Sequence, residues 1–302
     1  MYKSDICENA FARPFIKWAG GKTQLIKEIS KNYPQQLGQS INKYAEPFVG
    51  GGAVFFDIVN YYDINEIYIS DINKELILSY KSIKEDAEAV IELLKGFETE
   101  YLAIPYENRN KYYYKKREDF NNFREMFSEP EIAAHFIFLN KTCFNGLFRV
   151  NKQGLFNVPA GKYRNPLICD EKNLRIVSEK LKRVKIVCSD YKGSEDFIDN
   201  NTFVYIDPPY RPISYTSSFN SYSVNGFDDK AQVELSEFAN RIHRKGAKII
   251  ISNSDPWNHD KKDDFFENIY KGYKIQRIEA SRMINSKASL RGKITELLIS
   301  NF

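Results

Sequence analysis

The run VYIDPPYR at 204–211 ends a short apolar stretch in an aspartate, two prolines and a tyrosine. In a fold that alternates strands with helices, ligands sit beyond the carboxyl ends of the strands, which is where Asp207, Pro208 and Tyr210 would stand. Proline has no N–H, so carbonyls here point outward without a competing donor beside them. An amino group on an aromatic ring has two hydrogens, and its lone pair is delocalised into the ring. Accepting those hydrogens at the Asp207 carboxylate and the Pro208 carbonyl orients the nitrogen and makes it more nucleophilic, while Tyr210 can stack on the base. A base in a duplex must first leave the helix, at a cost of roughly a few kcal/mol that the pocket recovers. The plainer alternative is a rigid Asp-Pro-Pro turn with a surface tyrosine.

Two glycine-rich segments offer sites for a second ligand. EPFVGGG at 46–52 reads as a strand ending in glycines, which let the backbone approach a ligand closely. A dinucleotide fingerprint would need a further glycine at Phe55. Asp71 lies 19 residues beyond Gly52, the spacing at which a carboxylate accepts from ribose hydroxyls. A tight turn and a helix-cap aspartate would explain the same residues separately. Together they favour a nucleoside without a pyrophosphate, and S-adenosylmethionine fits. AGGKT at 19–23 ends like a phosphate loop, but the required earlier glycine is Ile16, so ATP hydrolysis is weakly supported.

Composition removes other chemistries. With 302 residues, 42% hydrophobic and 28% charged, the chain is globular rather than disordered. Four cysteines (Cys7, Cys143, Cys169, Cys188) form no CxxC pair, and three histidines are far apart, so neither a disulfide scaffold nor a zinc site is expected. No cysteine follows a proline, which disfavours the thiol attack of cytosine-C5 methylation. No metal is expected, because Asp-Pro-Pro-Tyr has no further carboxylate at coordinating spacing. The opening residues have no apolar leader, and no run approaches 18 apolar residues, so no membrane span is expected and a reduced, cytoplasmic setting is. The net charge of +4 hides unevenness. No acid occurs from Ile132 to Cys169, where Lys141, Arg149, Lys152, Lys162 and Arg164 stand, and Lys271–Lys293 has seven bases against Glu279. Either stretch could face phosphates or be a solvated surface.

The elements that must position these residues follow from periodicity. Strands are expected at 44–49, 67–70, 184–188, 202–206 and 247–252, with a terminal hairpin from 273–280 and 294–301. Helices are expected at 53–59, from Lys74, and through QVELSEFANRIH after Asp228 and Asp229. This rhythm predicts an α/β, Rossmann-like sheet with helices on both faces. Residues 85–139 are helical in pattern, and glycines and prolines over 140–169 mark loops or a hairpin. The expected organisation is a catalytic domain of 1–74 and 185–302, interrupted by an inserted module at 75–184.

With FIKWAGGK, EPFVGGGAVFFD, SDIN, FNGLFRVNKQGLFNVPAGKYRNP, IDPPY, ISNSD and RGKITELLISNF in this order, the chain resembles the Dam-type DNA adenine-N6 methyltransferases of the alpha group. It is most similar to the GATC-modifying DpnII- and MboI-type methylases of restriction systems. The resemblance implies a seven-stranded S-adenosylmethionine-dependent fold with a helical and hairpin recognition insertion. Trp18, Lys22 and Asp71 would contact the cofactor. Glu46 and the turn Gly50–Gly52 would shape its pocket, and Asp207 would meet both methionine and the target N6. Lys17 would read the outer guanine and Arg149 the other end of the site. Phe144 would insert between bases, Leu147 and Pro159 would make apolar contacts, and Lys162 would meet a phosphate. Tyrosine stands in place of Phe144, and arginine in place of Lys162, in the enterobacterial relative. The implied activity is adenine methylation in double-stranded GATC sites, with a cognate restriction endonuclease as genetic partner. A solitary replication or repair methylase, another amino target (cytosine N4 or RNA adenine) and a non-catalytic DNA-binding regulator are the alternatives.

Overall fold

A computed structural model describes residues 11–211, 227–281 and 293–302. Cys7 and the opening ten residues lie outside the described residues, as do Arg282, Lys287, Arg291 and the connection between the last two strands. Among the described residues the strands are β1 Lys43–Glu46, β2 Glu66–Asp71, β3 Val184–Cys188, β4 Thr202–Ile206, β5 Lys248–Ser254, β6 Lys274–Ser281 and β7 Lys293–Ser300. The helices are α1 Ile26–Ser30, α2 Ala53–Tyr61, α3 Lys74–Ala103, α4 Arg109–Phe123, α5 Glu129–Thr142, α6 Glu171–Leu181, α7 Asp229–Arg244 and α8 Phe265–Ile269. The chain divides into two compact units. One comprises the residues up to Gly21, Gly50–Tyr61 and Asn73–Val184; the other holds Lys22–Val49, Tyr62–Ile72 and Lys185 onward.

The second unit is built on one sheet of order β3-β2-β1-β4-β5-β7-β6. β1 runs parallel to β2 and β4, β4 parallel to β5, and β7 antiparallel to both β5 and β6. All five side chains of β4 are buried, as its unbroken apolar run requires in a sheet covered on both faces. Leu235, Phe238 and Ile242 recur along α7 at helical spacing and join Val204, Ile249 and Leu297 in the core. The α7 terminus is set by Asp228, whose side chain accepts from Ala231 N. β1 continues to β2 on one side and β4 to β5 on the other, so the topological switch falls between β1 and β4. Glu46 ends the first of these strands and Asp207 follows the second.

The strand expected to reach Val49 stops at Glu46. Pro47 has no donor for a continuing ladder, and the chain then turns through Gly50 (φ +48°) and Gly52 (φ +72°). The helix that follows reaches Tyr61, two residues beyond expectation.

In the first unit α3 packs on α4, α5 and α6. It breaks at Asp86, which has non-helical φ and ψ and whose carboxylate accepts from Ala89 N to restart the helix. Residues 143–160 form an antiparallel hairpin, bridged at Cys143–Ala160 and Val150–Phe156. Helix α4 braces it: Asn121 bonds both N–H and C=O of Phe156, and the Tyr113 hydroxyl donates to Val158 O at 2.8 Å. Among the described residues no helix is long and apolar enough to cross a membrane.

Candidate active site

The carboxyl edge of the second unit's sheet gathers the charged residues. Lys22 stands on a 3-10 turn, Lys22–Gln24, directly after the two glycines of AGGK, and is only 4% exposed. Its Nζ meets Asp207 Oδ2 at 2.8 Å. A phosphate-loop lysine would face a ligand; this one is committed to a carboxylate. The other carboxylate oxygen, Asp207 Oδ1, is buried and has no hydrogen-bond partner among the described residues. Such an acceptor is costly unless a ligand supplies the donor. Burial pushes the Asp207 carboxyl above its usual range; Lys22 draws it back, and the negative charge of Glu296 pushes it up again.

The tyrosine and prolines beside it are also held. The Tyr210 hydroxyl donates to Glu296 Oε2 at 2.6 Å, and Lys22 Nζ lies 4.8 Å from the ring centroid. Burial, then the charges of Asp207 and Glu296, keep this phenol protonated far above its usual range. Gln232 Nε2 donates to Pro209 O at 3.1 Å, and Asn253 Nδ2 donates to Gln232 Oε1 at 3.0 Å. Asn253 Oδ1 in turn accepts from Arg211 N at 3.2 Å. The Pro209 carbonyl is therefore occupied, whereas that of Pro208 has no donor among the described residues.

Glu46 is buried and accepts from Tyr44 Oη at 2.5 Å. Burial and that carboxylate hold the Tyr44 phenol protonated. Asp71 ends β2 half-buried, and its carbonyl accepts from Ser189 N at 3.2 Å. It is not the cap of α3: that role belongs to Asn73, whose side chain accepts from Leu76 N at 2.8 Å.

The first unit holds the other residues singled out. A Cβ on Gly50 would lie 2.7 Å from Trp18 Cδ1, and one on Gly52 would lie 2.5 Å from the Tyr80 hydroxyl. The glycines are thus required by the protein's own aromatics as well as by the turn. Trp18 stacks on Phe148 with ring centroids 6.0 Å apart. Lys17 lies against the hairpin, its ammonium 4.0 Å from the Tyr163 ring centroid, and a Cβ on Gly146 would lie 2.4 Å from Lys17 Cβ. Phe144 is 50% exposed and donates its N–H to Pro159 O at 2.9 Å. Leu147 is half-buried next to it, and Lys162 is exposed. The Arg149 guanidinium is exposed but anchored, Nε donating to Asn157 Oδ1 at 2.7 Å and Nη2 to Asn157 O at 3.1 Å.

Several neighbours of these residues are not singled out by a sequence reading, although Glu296 and Asn253 fall within quoted motifs. Glu296 lies on β7, opposite Ser254 of β5. Gln232 reads as an ordinary polar position of α7, and Asn253 is marked only by the ISNSD motif. Asn140 on α5 accepts from Lys17 N at 2.8 Å and donates to both Lys17 O and Gly146 O, joining the N-terminal segment to the hairpin. Arg277, one of the second basic run, is paired with Asp255 and Glu267 and lies 3.4 Å from the Trp257 ring centroid. Among the described residues no group of three His, Cys, Asp or Glu side chains could hold a metal ion.

In the second unit a carboxylate at a strand end, Asp71, is of the chemical kind that accepts from the ribose hydroxyls of S-adenosylmethionine. Comparison with known proteins identifies that chemistry. The D12 class N6 adenine-specific DNA methyltransferase family matches residues 18–284. The type II methyltransferase M.MjaIII of Methanocaldococcus jannaschii is 47% identical over 96% of this chain and 99% of its own length. The type II methyltransferase M1.LlaDCHI of Lactococcus lactis subsp. cremoris is 38% identical over 96% of this chain and 95% of its own. The DNA adenine methylase of Escherichia coli K12 is 33% identical over 95% and 94%. With the family matched over most of its length, this chain belongs to the Dam-type, S-adenosylmethionine-dependent N6-adenine DNA methyltransferases.

Proposed function

We propose that the enzyme methylates adenine N6 in double-stranded GATC sites as the protective half of a type II restriction–modification pair. The observation that carries the site assignment is Asp207 Oδ1, a buried acceptor at the carboxyl end of β4 with no hydrogen-bond partner among the described residues. The flipped adenine supplies the missing donor: Asp207 Oδ1 accepts one N6 hydrogen and the Pro208 carbonyl the other. Two acceptors fix the nitrogen's orientation, and Tyr210 stacks on the ring. S-adenosylmethionine, when bound, supplies an electrophilic methyl group on a sulfonium. Lys22 keeps Asp207 ionised in a buried setting, so the chain contributes positioning and preorganised charge. Trp18, Lys22, Glu46, Gly50, Gly52 and Asp71 are the residues we assign to the methyl donor.

Residues 75–184 serve target recognition. Arg149 reads a guanine edge, because its guanidinium matches O6 and N7. Lys17 reads the outer guanine, and Phe144, exposed on the hairpin, fills the gap left by the flipped base. Leu147 and Pro159 make apolar contacts, while Lys162 neutralises a phosphate. The GATC assignment rests on the FNGLFRVN hairpin. The pairing with an endonuclease is supported by two relatives that are type II methyltransferases.

The test is transfer of labelled methyl groups to duplexes that contain GATC or carry an altered outer base pair. The expected product is N6-methyladenine in GATC, with Asp207→Ala folded but inactive. Equal rates on both duplexes would remove the GATC assignment, and full activity of Asp207→Ala would remove the site.

A further inference from the structure

We infer that Glu296 is a positioning residue of the active site, acting through the Tyr210 hydroxyl to hold the ring on which the target base stacks. The inference rests on the stacking role proposed for Tyr210. Topology puts Glu296 there. β7 enters antiparallel between β5 and β6, so its first residues lie at the edge where the parallel strands end. Glu296 pairs with Ser254, the last residue of β5, and reaches Tyr210 with a hydrogen bond of 2.6 Å.

The rest of the loop explains why the ring needs such an anchor. Its backbone is held by Gln232 at Pro209 O and by Asn253 at Arg211 N, but those bonds leave the Tyr210 side chain free to rotate. Lys22 lies over the ring without fixing its rotation, since a cation above a ring face has no preferred angle about the ring normal. The hydroxyl is the one polar handle of the ring, and Glu296 is the acceptor that holds it. An ionised acceptor makes a short, directional bond of this kind. It also suits a phenol kept protonated as donor. Glu296 need not touch the base or the methyl donor.

The test is a double-mutant cycle with Glu296→Leu, Glu296→Gln and Tyr210→Phe, read as kcat on GATC duplex at saturating cofactor. It is accompanied by cofactor titration and by 2-aminopurine fluorescence at the target position. Misplacing the ring should lower kcat about tenfold or more. Glu296→Leu is expected to show that loss with cofactor affinity unchanged and an altered fluorescence change on DNA binding. Glu296→Gln, which keeps an acceptor, should recover to within about threefold of wild type, and Glu296→Leu should cost nothing further once Tyr210 is Phe. A Glu296→Leu loss that persists in the Tyr210→Phe background, or a Gln variant as damaged as Leu, overturns the inference. Should Glu296→Leu not fold, Tyr210→Phe deletes the same bond from its other end, and undiminished kcat there overturns the inference equally. Tyr210→Ala separates the two claims. Intact kcat in that variant overturns the stacking role and this inference with it, whereas a damaged Tyr210→Ala combined with independent Glu296 effects overturns this inference alone.

Discussion

Asp207 has opposing demands placed on it. In the proposed role its ionised form is the stronger acceptor for the amino hydrogens, yet burial and Glu296 both favour its protonated form. The Lys22 ammonium at 2.8 Å is the opposing influence. An acid limb in kcat/KM reports the free enzyme's essential base, so that limb should lie above the ordinary carboxylate range. Replacing Lys22 by Met removes the charge that stabilises the carboxylate. The proton is then held to higher pH, and the acid limb should move upward. A pH profile of kcat/KM for DNA at saturating cofactor tests this, and a limb that stays in place or moves down would separate Lys22 from Asp207. Asp71 invites a simpler measurement. The α3 cap is supplied by Asn73, and Asp71 stands at the end of β2, where a ribose-binding carboxylate is proposed. Asp71→Ala should weaken S-adenosylmethionine binding about ten- to a hundredfold, the equivalent of a charge-assisted hydrogen bond. Equilibrium titration without DNA measures it.

The hairpin over 143–160 works as an element because it is braced from behind. Asn121 and Tyr113 of α4 hold its return strand, and Asn140 of α5 ties Gly146 to Lys17. Phe144, Leu147 and Arg149 therefore project from a fixed frame. Anchoring of the Arg149 guanidinium by Asn157 reduces the freedom it loses on meeting a base edge. Arg149→Ala should lower kcat/KM selectively on GATC, by about 1–3 kcal/mol, and flatten the difference from duplexes altered at the outer base pair. Lys162→Ala should instead reduce both duplexes evenly. Similar behaviour of the two variants would return Arg149 to a phosphate role. Gly146→Ala tests the frame itself. Its φ of +62° and the Lys17 side chain leave no room for a methyl group, so the hairpin must shift and the preference for GATC should fall.

Over the whole molecule, a net charge of +4 is too small for a strong overall attraction to DNA. Affinity must come from local cations, and the acid-free stretch exposes Lys152, Lys162 and Arg164. If each meets a phosphate, neutralising all three should flatten the salt dependence of DNA binding by about 2.7 log units per log unit of salt, at roughly 0.9 per contact. Lys261 and Lys262 are equally exposed but adjoin Asp260, Asp263 and Asp264, and their removal should leave the slope unchanged. Binding titrations at several salt concentrations separate the two sets. A common effect would mean that total charge, not the stretch, drives association.

Much of this protein was determined locally. The strand over 202–206 was legible because its apolar run gives way to Asp207 and two prolines that cannot continue a ladder, and that over 184–188 because a short apolar run is broken only by Lys185. Asp207, Asp71 and the glycine turn were legible because each lies within a few residues of such a boundary. Pro47 and the glycines after it already carried the reason why β1 ends early. Polar partnerships are different, since they depend on distances that no pattern in one segment encodes. Arg277 counts as a free charge in the sequence and is sequestered in the structure by Asp255, Glu267 and Trp257. Asn140 is an unmarked helix residue until folding brings Lys17, 123 positions earlier, to its amide. Glu296 reaches Tyr210 across 86 positions only because β7 enters the sheet antiparallel beside β5. Which residues end strands and turn the chain follows from side-chain shape and backbone donors. Which charges stand together is decided by strand order, because only the assembled sheet brings distant side chains within hydrogen-bonding reach.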